Sequence, residues 1–334
     1  MAKSPETLFR ILFLTESRED YLADSVLHGL VSLGHEVTDY PRKCILYRSF
    51  NPYPTSPSDV GHAVRGGGFT LYRNLDDRIV DRSFIIQRLE RQSFDLVIFG
   101  QIWRQWGQLL DLAPLLQTVP VVLLDGDDDT RLFHRSGTRL RRFGWQPFPI
   151  RSGRCCYFKR ELQAEVSQGR WCRVLPASFS IPVEKIRDID FASKKQRLAS
   201  HCVDPEVAKA CGLQTSYAFA SEKAYYDDLS ISRFAVTTKR GGWDCLRHYE
   251  IAAAGALPCI RQLEAKPWTC APHGLQDGFN CVSYKNWPEL QQKLIALEST
   301  PQVLCRLIDA SRQWVLNHTT IEAASRLLHA VFTP

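Results

Sequence analysis

The chain has no run of about 18 consecutive apolar residues, so the sequence offers no membrane-spanning helix. The stretch from Met1 to Arg10 carries Lys3, Glu6 and Arg10 and lacks both the apolar core and the small-residue cleavage site of a secretory signal. It has no C-x-x-C pair: eleven cysteines are scattered through the chain, and the closest two, Cys155 and Cys156, are adjacent and cannot form a metal clamp. That excludes a disulfide scaffold and a zinc clamp, and it points to reduced thiols in the cytoplasm. There is no internal repeat and no low-complexity tract. The net charge is also small, +6, which excludes a strongly polyionic chain.

What is present suits a large α/β protein. At 334 residues, 44% of them hydrophobic, the chain can bury a sizeable core and is long enough for two domains that share a cleft. Charge is unevenly placed. From Arg131 to Arg160 there are nine Lys or Arg and no Asp or Glu, a segment read either as a solvated arginine-rich loop or as a positive surface for an anionic acceptor, a membrane headgroup layer or nucleic acid.

Apolar periodicity sets the order of elements. Phe9 to Leu14 has the density of a buried parallel strand. Leu22, Val26, Leu30 and Leu33 then repeat at helical spacing up to Gly34, and His35 to Tyr40 reads as the next strand, which together make a βαβ opening. Residues 41 to 75 read as a long irregular loop, in which Gly66 to Thr70 either brings backbone close to a ligand or forms a flexible turn. Helix is expected over Phe84 to Leu89 and Gly107 to Leu116, and strand over Asp95 to Phe99, Val119 to Leu124 and Cys155 to Glu161. Ser180 to Val183, followed by a charged run to Lys195, reads as the boundary between a unit of residues 1–182 and a unit of 183–334.

The second unit restarts the alternation, and its most informative stretch runs from Arg233 to Ile260. There an apolar strand leads into a basic turn with Gly241 and Gly242, then a helix containing Glu250, then Gly255 and Pro258, then a second strand. Amides at a helix N-terminus beside Lys239, Arg240, Arg247 and His248 suit a phosphate or diphosphate, because the helix dipole and unpaired N–H groups favour negative charge. Arg240 is preferred over Lys239, since a guanidinium can grip a phosphate through two parallel hydrogen bonds. Glu250 lies in an apolar helix, where a carboxylate is costly without a partner. Trp243 walls this pocket or belongs to the core. Three amphipathic helices close the chain.

In the first unit, the strand ending at Leu124 runs into Asp125-Gly126-Asp127-Asp128-Asp129. Carboxylates at that spacing can hold a divalent cation, supply a base or acceptor contact through Asp125 or Asp127, or simply form an acidic strand end. His134 is the nearby imidazole.

The run His248-Tyr249-Glu250-Ile251-Ala252-Ala253-Ala254-Gly255-Ala256-Leu257-Pro258 resembles the Glu-x-x-Ala-x-Gly-x-Pro block of GT-B glycosyltransferases, and Asp277-Gly278-Phe279-Asn280 is similar to their Asp-Gly-x-Asn-Gly segment. The resemblance spans about 50 residues in motif and most of the chain in pattern. It implies two Rossmann-like domains facing a cleft, with the last helix packing back on the first. It also implies a nucleotide-sugar donor, UDP- or GDP-linked, as co-substrate, with no other cofactor and no metal. On this reading Glu250 binds the ribose, Lys239, Arg240, Gly241, Gly242, Arg247 and His248 surround the diphosphate, and Phe219 faces the nucleobase. Asp125, Asp127 and His134 stand on the acceptor side, where a glycan or other anionic acceptor binds. One departure is visible. Many retaining members have a second glutamate eight positions before the ribose-binding one, and here that position is Gly242, so Asp244 or the amides of Gly241 and Gly242 are the substitutes. Two rival readings use the same fold: a DNA-modifying sugar transferase that uses the segment 131–160, and a non-catalytic nucleotide- or glycan-binding protein.

Overall fold

A computed structural model of the chain describes residues 8–50, 69–163, 172–216, 219 and 221–333. The expectation for Gly66 to Gly68 falls outside these residues. Among the described residues, ten strands form two sheets. The first contains β1 (Arg10–Leu14), β2 (Glu36–Tyr40), β3 (Leu96–Phe99), β4 (Val121–Asp125), β5 (Cys155–Lys159) and β6 (Arg173–Pro176), in the order β2-β1-β3-β4-β5-β6. All its pairings are parallel. The second contains β7 (Gln196–Leu198), β8 (Ser232–Thr237), β9 (Leu257–Arg261) and β10 (Val282–Tyr284), in the order β10-β9-β8-β7, again parallel. Every residue of β3 and β4 is buried, as continuous Val/Leu/Ile runs require when helices cover both faces.

Helices α1 (Tyr21–Ser32), α2 (Ile85–Glu90), α3 (Ile102–Leu112) and α4 (Gly137–Phe143) belong to the first half, and α5 (Pro205–Cys211), α6 (Glu222–Ile231) and α7 (Leu246–Ala253) to the second. The chain closes with α8 (Trp287–Glu298), α9 (Pro301–Leu316) and α10 (Thr320–Phe332). Helix α1 starts where the Asp20 carboxylate accepts from the Ala23 amide, and it stops before Gly34, whose φ of 84° is open to glycine.

The expected and observed elements differ in several places, β7 among them, where no strand is expected from the sequence. Helix α3 begins at Ile102 and not near Gly107, because the Gln101 side chain caps the Trp103 amide. Residues 137–143, read as loop, are helical and capped by the Ser136 hydroxyl. Val174 to Pro176, just before the expected boundary, pairs with β5 as the edge strand.

The last helix crosses back to the first sheet's side and lies along α1. The Gly29 position fixes how close it comes: a Cβ there would sit 1.9 Å from the Thr320 carbonyl oxygen and 2.9 Å from the Ala324 methyl, so only glycine allows the approach. His28 Nδ1 meets Thr320 Oγ1 at 2.9 Å, and Phe332 stacks on Phe9 at 4.4 Å. The two segments that run between the halves are themselves paired. Ile181 N donates to His318 O (3.1 Å), and Thr320 N donates to Ile181 O (3.0 Å).

Candidate functional site

The carboxyl ends of the two parallel sheets face a cavity of about 900 Å³. In open α/β sheets the crevice beyond the strand ends is where loops converge. Arg240, Gly241, Gly242, Arg247 and Glu250 line it from the second sheet, and Asp20, Gln101, Arg104 and Asp127 from the first.

The second-sheet wall is built by the turn between β8 and α7. His248 is buried beneath this turn. Its Nε2–H donates to the Trp243 carbonyl (3.0 Å) and its Nδ1 accepts from the Thr237 hydroxyl (3.0 Å), which ties strand end to turn. Burial lowers its pKa to about 4, so the ring is neutral at pH 7 and structural. Arg240 N donates to Gly242 O (3.1 Å), which tightens the loop and leaves the Arg240 side chain exposed on the cavity. Arg247 projects from the first turn of α7, with its guanidinium 5.8 Å from the Tyr225 ring centre. Lys239 lies over Trp243 at 5.1 Å and does not line the cavity.

Glu250 has the partners that its apolar helix demands. One oxygen accepts from the Thr70 hydroxyl (2.5 Å) and the other from the Tyr225 hydroxyl (2.8 Å), and Tyr226 OH meets Thr70 Oγ1 at 2.9 Å. Thr70 arrives from the long loop of the first half, so this contact joins the two halves.

A second junction lies beside it and involves residues that sequence reasoning had not singled out. Arg160, directly after β5, donates to the Asp244 carbonyl (2.7 Å), to Glu161 Oε1 (2.9 Å) and to the Gly126 carbonyl (3.1 Å), pairs with Asp128, and lies over the Phe179 ring at 4.5 Å. Glu161 Oε1 also accepts from the Asp244 amide (3.1 Å). Asp244 is buried, with its carboxylate accepting from Phe179 N (2.7 Å) and Tyr249 OH (2.7 Å). Burial pushes its pKa up to about 6, against the pull of Arg160. The two glycines are what let these groups meet: a Cβ on Gly241 would sit 1.8 Å from Asp128 Oδ2, and one on Gly242 would sit 2.3 Å from Glu161 Oε1. Glu161 therefore fills the space beside Gly242, the position where the resemblance leads one to look for a glutamate. The signal for Arg160 and Glu161 was their place at the end of a buried strand, the rule already applied to Asp125.

On the first-sheet wall the structure separates the acidic run. Asp125 is fully buried behind the cavity, where it accepts from Lys159 Nζ (2.8 Å), Trp103 Nε1 (3.0 Å), the Asp127 amide (3.2 Å) and the Tyr157 hydroxyl. Burial raises its pKa to about 6, opposed by Lys159. Asp127 lines the cavity. His134 lies away from it, packed edge-on to Phe148 and Tyr157, and burial lowers its pKa to about 4. Phe219 packs edge-on to Tyr225 at 5.4 Å and is not a lining residue either. Asp20, the α1 cap, does face the cavity. It accepts from Gln101 Nε2 (2.6 Å), and burial raises its pKa. Among the described residues no group of three His, Cys, Asp or Glu is placed to hold a metal ion.

No family model matches the chain, and no curated protein matches it by sequence. Solved structures match over nearly its full length. HepE from Anabaena, in a complex with UDP and glucose, superposes with a TM-score of 0.56 at 9% identity, covering 98% of this chain and 100% of that one. A glycosyltransferase from Rickettsia africae gives 0.55 at 9% identity, with 98% of each chain covered. Sucrose-phosphate synthase from Thermosynechococcus elongatus gives 0.51 at 10% identity, covering 96% of this chain and 98% of that one. The fold is that of the GT-B glycosyltransferases, with two parallel α/β sheets facing a cleft.

Proposed function

We propose that the chain is a glycosyltransferase that moves a sugar from a nucleoside-diphosphate donor, UDP- or GDP-linked, to a hydroxyl on an acceptor held by the first unit, residues 1–182. The observation that carries this reading is the cavity itself, where two arginines, two bare glycines and a hydrogen-bonded carboxylate converge at one strand–turn–helix.

In this reading Arg240 and Arg247, with the α7 amides, neutralise the diphosphate as the anomeric carbon–oxygen bond breaks. Their charge does the work that a cation does elsewhere, so no metal is required. The acceptor oxygen forms the new bond at that carbon, and its proton passes to Asp127 or Asp20, two of the first-half carboxylates that line the cavity. Asp125 and His134 lie behind that wall and hold it in shape. Glu250 accepts hydrogen bonds from the donor's ribose in exchange for those of Thr70 and Tyr225. Similar folds in complex with UDP support this assignment of the donor.

Calorimetry against UDP, GDP, ADP and CMP tests the proposal: one uridine or guanosine diphosphate binds, and no binding by any of the four at millimolar concentration overturns it. Glu250→Ala is expected to weaken nucleotide binding about tenfold, the loss of one charge-assisted hydrogen-bond pair. Unchanged affinity would remove Glu250 from the site.

A second reading of the acceptor rests on the basic segment. Arg135, Arg141, Arg142, Arg151 and Arg154 are exposed around α4, whereas Arg139, Lys159 and Arg160 are buried. Such a face fits a nucleic-acid acceptor, and it predicts duplex-DNA binding that weakens steeply with salt.

A further inference from the structure

A second cavity, of about 480 Å³, lies apart from the cleft between the first sheet, α1 and α10. Its floor is Leu124, Phe158 and Leu175, one residue from each of three adjacent strands, and Val26 and Leu327 wall it from the two helices. Aliphatic and aromatic carbon dominates this lining. Four polar residues of the lining, His273, Asn317, His318 and Arg326, lie close to one another, with Ser178 the other polar lining residue.

That group of four is cationic and incompletely bonded. The Arg326 Nη1 donates to the Asn317 carbonyl (2.8 Å), and Arg326 makes no ion pair among the described residues, although Glu322, one turn back on α10, lies near enough to support its charge. The buried His273 Nε2 has no hydrogen-bond partner, while His318 Nδ1 is engaged by the Trp314 carbonyl (2.7 Å). Burial keeps both histidines neutral at pH 7, so Arg326 is the cation there. An apolar chamber of this size with one cation and one orphaned polar atom in its lining matches the shape of ligand pockets, which run from about 300 to 1,000 Å³ and fix orientation with a few polar groups.

We propose that this cavity is a binding site for a single-chain anionic amphiphile, its hydrocarbon tail on Leu124, Phe158 and Leu175 and its head group on Arg326 and His273. The tail ends next to the cleft. Tyr21 and Phe179, in edge contact at 5.6 Å, line the cleft, and their chain neighbours Leu22 and Ser178 line this cavity, so a pair of rings is the partition between the two chambers. The proposal stands whether or not the cleft binds a nucleotide sugar, because no lining residue is shared.

Calorimetry on the full chain with decanoate, decyl phosphate and neutral decanol tests it. The anionic compounds are expected to bind, with preference between them identifying the head group, and decanol to bind more weakly. Arg326→Gln should weaken the anionic ligands about tenfold and leave decanol unchanged, as loss of one charge-assisted contact requires. Ala177→Trp and Ala330→Trp, two half-exposed positions on the lining, fill the chamber from opposite sides and should each abolish binding of all three. Absence of binding to the wild-type chain, or equal binding by both filled variants with native circular dichroism, overturns the proposal. UDP titration of the same variants separates the two sites: it should be unchanged.

Discussion

Replacing Gly242 by alanine is expected to cost about 3 kcal/mol of stability, because the new methyl has nowhere to go. The built Cβ lies 2.3 Å from Glu161 Oε1 and 2.7 Å from Arg160 Nη1. Neither neighbour is a loose surface side chain: each is only 2% exposed, and each is held by hydrogen bonds to the Asp244 backbone. Relief requires either that the two halves separate locally or that the Arg160–Glu161–Asp244 network breaks. Overpacking a tight site costs about 1–3 kcal/mol, and uncoupling a buried charge pair about 3–5 kcal/mol, so the smaller relaxation sets the scale. Urea denaturation followed by tryptophan fluorescence measures the change as a fall in midpoint at constant slope. Gly137→Ala is the control: nothing lies within 4 Å of its Cβ, and a shift of no more than about 0.5 kcal/mol is expected there. A double variant, Gly242→Ala with Glu161→Ala, should be less destabilised than the two single changes added together, because the closer of the two clashes goes with Glu161 and Arg160 gains room to shift. If Gly242→Ala unfolds at the wild-type midpoint, Glu161 is not where the structure has it and the account of this junction fails.

Arg240→Ala should reduce affinity for a nucleoside diphosphate at least tenfold, and Arg240→Lys should recover only part of it, since an ammonium cannot grip two oxygens in parallel; full recovery by lysine would refute the bidentate role. Asp20→Asn should leave UDP affinity near wild type while lowering turnover, and its pH–rate profile should lose the acidic limb set by that raised carboxyl pKa; an unaltered profile would assign the base elsewhere. For acid stability the sign follows from His248, whose folded pKa of about 4 lies below the ordinary 6.5. Its contribution is fully present above pH 6.5 and is lost as pH falls toward 4, by up to about 3 kcal/mol. Raised carboxyls such as Asp125 and Asp244, at about 6, act in the opposite sense and favour the fold in acid. His248→Gln should therefore flatten the fall in melting temperature between pH 7 and pH 5; an equally steep fall would show that His248 takes its proton while folded.

Most of the sheet was legible because parallel strands covered on both faces leave dense apolar runs, as at Leu96–Phe99 and Val121–Asp125. The edge strands β6 and β7 were not, since Arg173, Gln196 and Arg197 break the run at half-covered positions. Glycine and basic residues between β8 and α7 announced the turn, and Arg240, Arg247 and Glu250 do reach one cavity. His248 could not be separated from them by sequence, because a histidine that ties a turn from below and one that faces a ligand occupy the same register. Asp125 and Asp127 pose the same problem across one β-strand period: one points behind the wall and one into the cavity. The Arg160–Glu161–Asp244 junction was hidden for a different reason. It joins residues more than 80 positions apart, and no local pattern carries that pairing.

The pairing of Ile181 with Thr319 and Thr320 has a mechanical consequence. Both passages of the chain between the halves run side by side along one edge, laced by two backbone hydrogen bonds. Two connections so placed act as the leaves of a single hinge. Swinging about their common line needs only small dihedral changes in the flanking residues, whereas sliding or twisting one half on the other would tear both bonds. Arg160 lies over Phe179, two residues before Ile181, and braces that line, while Thr70 and Glu250 tie the halves across the cleft, so a wider opening there must first break the Thr70–Glu250 hydrogen bond.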